Sequence, residues 1–277
     1  MINMMKADFY RILKGKAIYF TILVIILLSA ISIIGLSAGH IGLAVSSNVD
    51  TRDPEFTEKL MEAKTLKEVR KVMKSEGAFA LDKEELGKNI NLYYLFIVIV
   101  VIILCTDFSN KSIKNTLSSA ITREKYYLSK ALLVFGICTI LVLFHNYAFY
   151  FANLLINGKA FTSSLLEITE LTLIQLPLIY GIISLLICFA YLFQKTSTFN
   201  TIAIPFVMVF QLIVMGITNL LKIKADWFYN YEIQFALAKL ADHPTGDYMM
   251  RCMFLGIIYI VVFNLIGYYA FKSTEIK

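Results

Sequence analysis

Long runs of apolar residues alternate with short polar connections along the whole chain. A helix that crosses about 30 Å of hydrocarbon needs roughly 20 residues at its rise of about 1.5 Å per residue. The run at 90–106 is the shortest, although Asn89 and Asn91 could lie at the membrane interface. The qualifying runs are 17–38, 90–106, 131–156, 168–193, 199–221 and 248–271. This pattern predicts an all-α integral membrane protein with six transmembrane helices.

The composition of the chain indicates that much of its surface faces lipid. The chain of 277 residues is 58% hydrophobic, with a mean hydropathy of +0.69, whereas soluble domains are roughly 45–50% apolar. Charged residues make up 17% and lie in the connections, as expected when a charge at the bilayer centre costs at least about 2.5 kcal/mol. The net charge of +6 is therefore no sign of nucleic acid. Membrane lipid is the predicted partner, and no nucleic-acid partner is expected.

Lysine and arginine are distributed unevenly between the two sides of the predicted bundle. One side carries Lys6, Arg11, Lys14, Lys16, Lys111, Lys114, Arg123, Lys125, Lys130, Lys195, Lys272 and Lys277. The short loops of the other side hold Lys159, Lys222, Lys224 and Lys239. Because basic residues in short loops favour the cytoplasm, both termini are predicted to be cytoplasmic in a multi-pass protein of the plasma membrane.

Two longer segments are predicted on the extracellular side. Residues 39–89 contain a helix start at Asp53-Pro54 and a capping-box pattern from Thr65 to Glu68, which predict a small extracellular helical loop with a cap over 54–75. Residues 222–247 are rich in aromatic side chains, which favour the headgroup level. They are predicted to form an extracellular or re-entrant loop.

The first sixteen residues predict an amphipathic cytoplasmic elbow helix. Its apolar face carries Ile2, Met5, Phe9, Ile12 and Leu13. Its polar side carries Asn3, Lys6, Asp8, Arg11 and Lys14. A basic amphipathic helix is typical of the membrane interface. A plain membrane anchor is an equally good interpretation.

The cytoplasmic segment 107–130 has a helical pattern of its own. Ile113, Leu117 and Ile121 share one face, and Lys114 with Asn115 lies on another. Thr122, followed by Glu124, predicts the N-cap of the third span. A short helix of this kind could dock in a groove of a cytoplasmic partner, or it could be an interfacial linker.

This segment also resembles the signature of type-2 ABC exporter permeases, especially the small six-span permeases of bacitracin-resistance, lantibiotic-immunity and peptide-toxin exporters. The matching residues are Asp107-Phe108, Ser112-Ile113-Lys114-Asn115, Leu117-Ser118, Arg123 and Tyr127 to Lys130. The chain departs from the family pattern at Lys111-Ser112, where Gly-Thr is common, and at Ala120, where Pro is common. The six-span layout and the amphipathic start agree with the family over the whole chain.

The resemblance implies that residues 107–130 form a coupling helix seated in a separate ABC ATPase. The implied coupling residues are Ile113, Lys114, Asn115, Leu117, Arg123 and Lys130. It also implies a second permease subunit, identical or paralogous, and export of a hydrophobic or amphipathic substrate such as an antimicrobial peptide, a toxin peptide or a drug. The chain itself is expected not to be an enzyme. It lacks the G-x-x-x-x-G-K-[ST] pattern, so ATP and Mg²⁺ are expected in the partner and no cofactor in this chain.

Polar residues inside the predicted spans offer a translocation path. His145 and Asn146 lie near the middle of the third span, and Gln211 lies in the fifth. An ionisable residue within a membrane is a candidate functional residue, but hydrogen bonds between helices explain these side chains as well. An ion- or proton-coupled secondary transporter with His145 in a relay is one alternative function. A non-transporting membrane sensor or scaffold is another.

An intramembrane enzyme is the weakest interpretation. Glu84-Glu85 resembles the paired glutamates of membrane prenyl-protein peptidases, but Asn89 stands where that pattern has arginine. The pair also falls in the predicted outer loop. Four separated cysteines form no CxxC pair, so no disulfide or zinc site is predicted.

Overall fold

A computed structural model describes residues 2–37, 86–118, 121–159, 162–221, 231–242 and 246–274, with isolated positions 58, 62, 68 and 82. These described residues are 93% helical and include no strand. The all-α prediction is therefore confirmed. The predicted cap at 54–75 lies outside the described residues apart from positions 58, 62 and 68.

The helices follow the apolar runs and their polar borders. In chain order they are α1 (Ile2–Lys14), α2 (Lys16–Ser37), α3 (Tyr93–Val100), α4 (Thr106–Ser109), α5 (Ser112–Ser118), α6 (Arg123–Asn157), α7 (Leu165–Phe193), α8 (Thr196–Leu221), α9 (Ile233–Asp242) and α10 (Gly246–Ser273). A 3₁₀ turn, Lys88–Leu92, precedes α3, and a π-helical turn, Val101–Cys105, joins α3 to α4.

Side-chain caps fix the starts of the two longest helices. The Thr122 hydroxyl accepts a hydrogen bond from the Lys125 backbone N–H at the start of α6, which confirms the predicted cap. The Ser164 hydroxyl does the same for Glu167 in α7. Because Thr122 is the cap, α6 begins eight residues before the predicted boundary of the third span at 131, and its first two turns lie in the segment predicted to couple.

Helix α7 is the centre of the bundle. Its most apolar stretch is 67% buried, whereas that of α10 is only 17% buried. Helix α6 runs antiparallel to α7, because Asn146 contacts Thr172 near one end and Tyr127 stacks near Tyr191 at the other. Since α7 supplies the common surface for its neighbours, its apolar stretch is more buried than the 56% of α6 or the 17% of α10.

Helices α7 and α10 run parallel and approach backbone to backbone. A Cβ atom on Gly256 would lie 2.4 Å from the carbonyl carbon of Pro177. Further along, Asn264 donates a 2.8 Å hydrogen bond to Ser184, and Gly267 lies against Cys188. Small residues therefore permit the close contact, as is common between membrane helices.

Three or four segments of the described chain are candidate membrane spans. Among the described residues, Arg123–Ile156, Leu165–Phe193 and Gly246–Ser273 are long and apolar enough to cross a membrane. Helices α1 and α2, bent by 64° at Gly15, make a fourth candidate if they are taken as one span. Tyr93–Ser109 is apolar but shorter. The protein is therefore a helical bundle with three or four candidate membrane spans.

Contacts show that the helix direction alternates along the chain. Asn89 contacts Gln175 at one end and the Phe108 ring meets the Tyr191 ring edge-on at the other, so α3 and α4 run parallel to α7. Tyr93 donates a hydrogen bond to the Ala203 carbonyl, and Ser109 contacts Thr196, so α8 runs the opposite way. Alternating direction is what repeated membrane crossings require.

Candidate functional site

Helix α5 presents the two faces that its sequence pattern predicts. Ile113 is 2% exposed and belongs to the core, and Leu117 is half-buried against it. Lys114 and Asn115 lie on the exposed side. The local period of the helix therefore gives a polar surface that a partner can reach.

A tight turn joins α4 to α5. Lys111 adopts φ 55°, a left-handed conformation that costs a non-glycine residue about 1–2 kcal/mol. The Lys114 backbone N–H donates to the Lys111 carbonyl at 3.2 Å, and the Ser112 hydroxyl donates to the Asp107 carbonyl at 3.4 Å. The turn and these bonds hold α5 as a separate short helix after α4.

The two ends of the predicted coupling segment are ion-paired with each other. Lys130 Nζ lies 2.5 Å from Asp107 Oδ2, and these side chains are 3% and 5% exposed. The Tyr126 hydroxyl donates to the same Asp107 oxygen at 2.8 Å, and the Lys130 ammonium lies 5.4 Å from the centre of the Tyr126 ring. Lys130, expected to be a coupling residue, is therefore enclosed in the bundle and does not lie on a surface open to a partner.

Helix α1 completes this cluster. Arg11 Nη1 donates to Asp107 Oδ1 at 2.7 Å, and Arg11 Nη2 pairs with Asp8 at 3.2 Å. Lys130 also pairs with Asp8 at 2.7 Å. Two cations and two anions thus form a closed cluster from three parts of the chain. We call it the loop-base network, and it consists of Asp8, Arg11, Asp107, Tyr126 and Lys130.

Electrostatics favour the ionised form of Asp107, which lies just beyond the predicted second span. Burial alone would raise the pKa of this carboxyl group, but Lys130 and Arg11 outweigh burial and hold the pKa below its ordinary value. The carboxylate is therefore charged at neutral pH, so the ion pairs of the loop-base network are intact there.

The docked face of α1 differs from the expected apolar face. Asp8 and Ile12 are buried against the bundle, whereas Phe9 and Leu13 are 41% and 44% exposed. The sequence pattern places Asp8 on the polar side of the helix. Its ion pairs with Lys130 and Arg11 explain why it turns inward.

Arg123 is bound to the end of the last helix. One guanidinium nitrogen donates to the carbonyl oxygens of Phe271, Lys272 and Thr274 at 2.6–3.0 Å. A cation at the C-terminal carbonyls of a helix satisfies unpaired acceptors and complements the helix dipole. Arg123, predicted to be an exposed coupling charge, therefore joins α6 to α10.

A second buried polar cluster lies near the opposite end of the bundle. His145 Nδ1 lies 3.1 Å from the Asn146 amide oxygen, and the Asn146 amide nitrogen donates to Thr172 at 3.2 Å. His145 and Asn146 are 5% and 4% exposed. These two predicted path residues therefore meet between α6 and α7, inside a single subunit.

A further buried polar group lies one turn along α7, at residues for which the sequence predicts no site. Gln175 donates to the Leu86 carbonyl at 3.0 Å and accepts a 2.8 Å hydrogen bond from Asn89. The other oxygen of that pair, Asn89 Oδ1, is buried without a hydrogen-bond partner. We call Asn89, His145, Asn146, Thr172 and Gln175 the amide cluster. The i, i+3 spacing of Thr172 and Gln175 on α7 was the signal that could have found it.

Gln211, the third predicted path residue, lies in α8, but its side chain is outside the described part of the protein. The aromatic loop 222–247 is described in part. Its residues 233–242 form α9, where Ile233, Ala236, Leu237 and Leu240 are buried.

No site for a metal ion is formed by the residues that the structure describes. They hold no group of three or more His, Cys, Asp or Glu side chains close enough to bind a metal. Cys105, Cys138, Cys188 and Cys252 are each buried as free thiols. The described candidate residues are charges and amides inside the bundle and the exposed polar face of α5.

Comparisons with family models, with curated proteins and with solved structures give no match to this chain.

Proposed function

We propose that this protein is the permease subunit of an ATP-driven exporter, with six membrane spans and cytoplasmic termini. The observation that carries the proposal is helix α5. One face of this helix is buried, and the other face is exposed and basic. Its sequence resembles the coupling segment of type-2 ABC permeases.

The basic end of the bundle supports this role. The ends of α1, α4, α6, α7 and α10 meet there, through the loop-base network and through stacking of Tyr191 on Phe271. A displacement of α5 would therefore be transmitted to several helices at once. A coupling element needs such a connection, because the ATPase acts only on its cytoplasmic surface.

In this proposal a separate ABC ATPase binds ATP and Mg²⁺, and its closure moves α5. A second permease subunit, identical or paralogous, completes the translocation path. The substrate is hydrophobic or amphipathic, such as an antimicrobial peptide, a toxin peptide or a drug. This chain contributes the path and the contact with the ATPase and carries out no covalent chemistry.

Exposure and contacts favour two of the proposed coupling residues as the docking surface. Lys114 and Asn115 lie on the exposed side of α5, whereas Lys130 is enclosed and Arg123 is engaged with α10. Ile113 and Leu117 support α5 from below. The docking surface is therefore Lys114 and Asn115, with Ile113, Leu117, Arg123 and Lys130 as the residues that hold this surface in place.

Proton-coupled transport through His145 has less support. A proton relay requires a series of titratable groups across the membrane. His145 contacts the Asn146 amide oxygen, and Asn146 donates to the Thr172 hydroxyl on α7. Hydrogen bonding between α6 and α7 accounts for these contacts.

The test compares Lys114→Glu with Lys159→Glu, an exposed lysine at the opposite end of the bundle. Each variant is purified in mild detergent with a P-loop ATPase as the sought partner. Charge reversal at a complementary surface introduces repulsion, so we expect Lys114→Glu to lose the ATPase and Lys159→Glu to keep it. Full ATPase binding and full transport-linked ATP turnover in Lys114→Glu would contradict the proposed docking role of α5.

A further inference from the structure

The loop-base network joins α1 to both ends of the segment that carries α5. Asp107 is the first residue of this segment, and Lys130 is the last. Asp8 reaches Lys130, and Arg11 reaches Asp107. One face of α1 therefore contacts the entry and the exit of the same cytoplasmic loop.

Stability alone is a weak reason for such a cluster. A buried ion pair gains little over well-packed apolar residues, because the desolvation of both charges offsets their attraction. The better-supported use of buried charges is to fix one arrangement among several. Here each cation contacts both carboxylates, so a shift of α1 by one helical turn would separate at least two pairs.

A bend makes α1 a helix separate from α2. Gly15 lies between α1 and α2, which are bent by 64°. At that bend the Gly15 backbone N–H still donates to the Arg11 and Ile12 carbonyls at 3.1 and 3.0 Å. Helix α1 is therefore a separate helix. Gly15 joins it to α2, and ion pairs join it to the loop base.

The members of the network differ in their exposure. The side chains of Lys130 and Asp107 are 3% and 5% exposed, Asp8 is 12% exposed and Arg11 is 43% exposed. The Asp107–Lys130 pair is thus the enclosed centre. Asp8 and Arg11 are the attachments of α1 to that centre.

We propose that Asp8 and Arg11 are positioning residues that clamp α1 to the Asp107–Lys130 pair, so that α1 and the base of the α5 loop move as one unit. In an exporter, the motion imposed on α5 would then pass to α1 and through Gly15 to α2. This statement about motion rests on the proposed function. The clamp itself does not depend on the proposed function.

Cross-linking of the full-length protein tests the clamp without any ATPase. The Ser129 hydroxyl lies 3.9 Å from the Met4 sulfur, so a Met4→Cys, Ser129→Cys pair reports docking of α1 on α6. The control pair is Ser109→Cys with Thr196→Cys, because their hydroxyl oxygens lie 2.9 Å apart at the same end of the bundle but outside α1. The native cysteines are buried, which limits their reaction with a short bifunctional thiol reagent.

Asp8→Asn and Arg11→Gln are then introduced into each pair. We expect the α1–α6 cross-link to fall at least three-fold, the control cross-link to stay unchanged, and Arg11→Lys to restore most of the yield. An unchanged α1–α6 cross-link would overturn the clamp. A parallel fall of both cross-links would also overturn it, since the network would then act on overall folding.

A second arm tests the shared motion in the complex with the ATPase. If α1 and the loop base move as one unit, the α1–α6 cross-link should leave transport-linked ATP turnover within two-fold of the uncross-linked protein. Loss of turnover on cross-linking would show that α1 separates from the loop and would overturn the shared motion. Failure to find an ATPase would count against the proposed function, and the first arm would still decide the clamp.

Discussion

The two ends of the helix bundle bury polar groups in different ways. At the basic end, the loop-base network pairs full charges from three parts of the chain. At the other end, the amide cluster pairs neutral amides, a hydroxyl and an imidazole, mainly between two helices. Unpaired charges cost more than unpaired amides in a dry environment, so the basic end should tolerate less change.

The difference also concerns what each cluster connects. The loop-base network closes the base of α5, so a change in the network should alter the exposed surface of that helix. The amide cluster lies between α6 and α7 and meets the Leu86 carbonyl. It therefore sets the packing of the bundle itself. One cluster therefore holds the base of an exposed helix, and the other holds two helices of the bundle together.

Lys130→Met should have the largest effect on stability. It leaves two buried carboxylates facing Arg11 alone, and breaking a buried ion pair costs about 3–5 kcal/mol. Lys125→Met on the exposed side of the same helix is the matched control and should change stability by under about 0.5 kcal/mol. Thermal unfolding in detergent, read by loss of the monodisperse species, measures both. Equal midpoints for the two variants would show that the enclosed pair contributes nothing.

Gln175→Met should cost less than Lys130→Met, although the introduced residue is the same. It leaves the Leu86 carbonyl and the Asn89 amide unpaired, at about 1–3 kcal/mol. Asn89→Leu should cost under about 1 kcal/mol, because it also removes the oxygen that already has no partner. The same unfolding assay ranks these variants. A larger loss of stability in Gln175→Met than in Lys130→Met would reverse the comparison of the two ends.

Arg123→Gln should have a smaller effect, about 1–2 kcal/mol, because the site is only half-buried and water can replace part of the contact. The loss should appear at the C-terminal end of α10, where limited proteolysis should cut faster. Lys272→Gln, an exposed neutralisation in the same region, is the control. Equal cleavage of the two variants would remove the capping role of Arg123.

Lys114→Glu should have the smallest effect on stability, under about 0.5 kcal/mol, because it lies on the exposed side of α5. Its unfolding midpoint in detergent should match that of Lys159→Glu. If the unfolding midpoint of Lys114→Glu fell as far as that of Lys130→Met, Lys114 would be a residue that stabilises the fold. A loss of partner binding in Lys114→Glu could not then be assigned to docking.

Local sequence patterns predicted the parts of the structure that depend on nearby residues. The cap at Thr122 and the buried position of Ile113 follow from spacing within one or two turns, and both are confirmed. The apolar runs also located α6, α7 and α10, which begin eight, three and two residues before the predicted boundaries. The caps at Thr122 and Ser164 account for the earlier starts of α6 and α7.

Contacts between distant residues could not be read from the same patterns. Arg123 meets Phe271 from 148 positions away, and Arg11 meets Asp107 from 96 positions away. No periodicity encodes such pairs, so Arg123 and Lys130 looked like exposed basic residues. The one local signal was Asp8, an acid within a basic helix, which indicates a cation partner elsewhere in the fold.

The central claim is that this chain works with a separate ATPase, and purification of the full-length protein in mild detergent tests it most directly. If the proposed function is correct, a polypeptide with a P-loop copurifies with the wild-type chain and with Lys159→Glu, and is lost from Lys114→Glu while the variant chain itself remains monodisperse. Recovery of the wild-type chain with no P-loop polypeptide, from cells that express its native partners, would contradict the account.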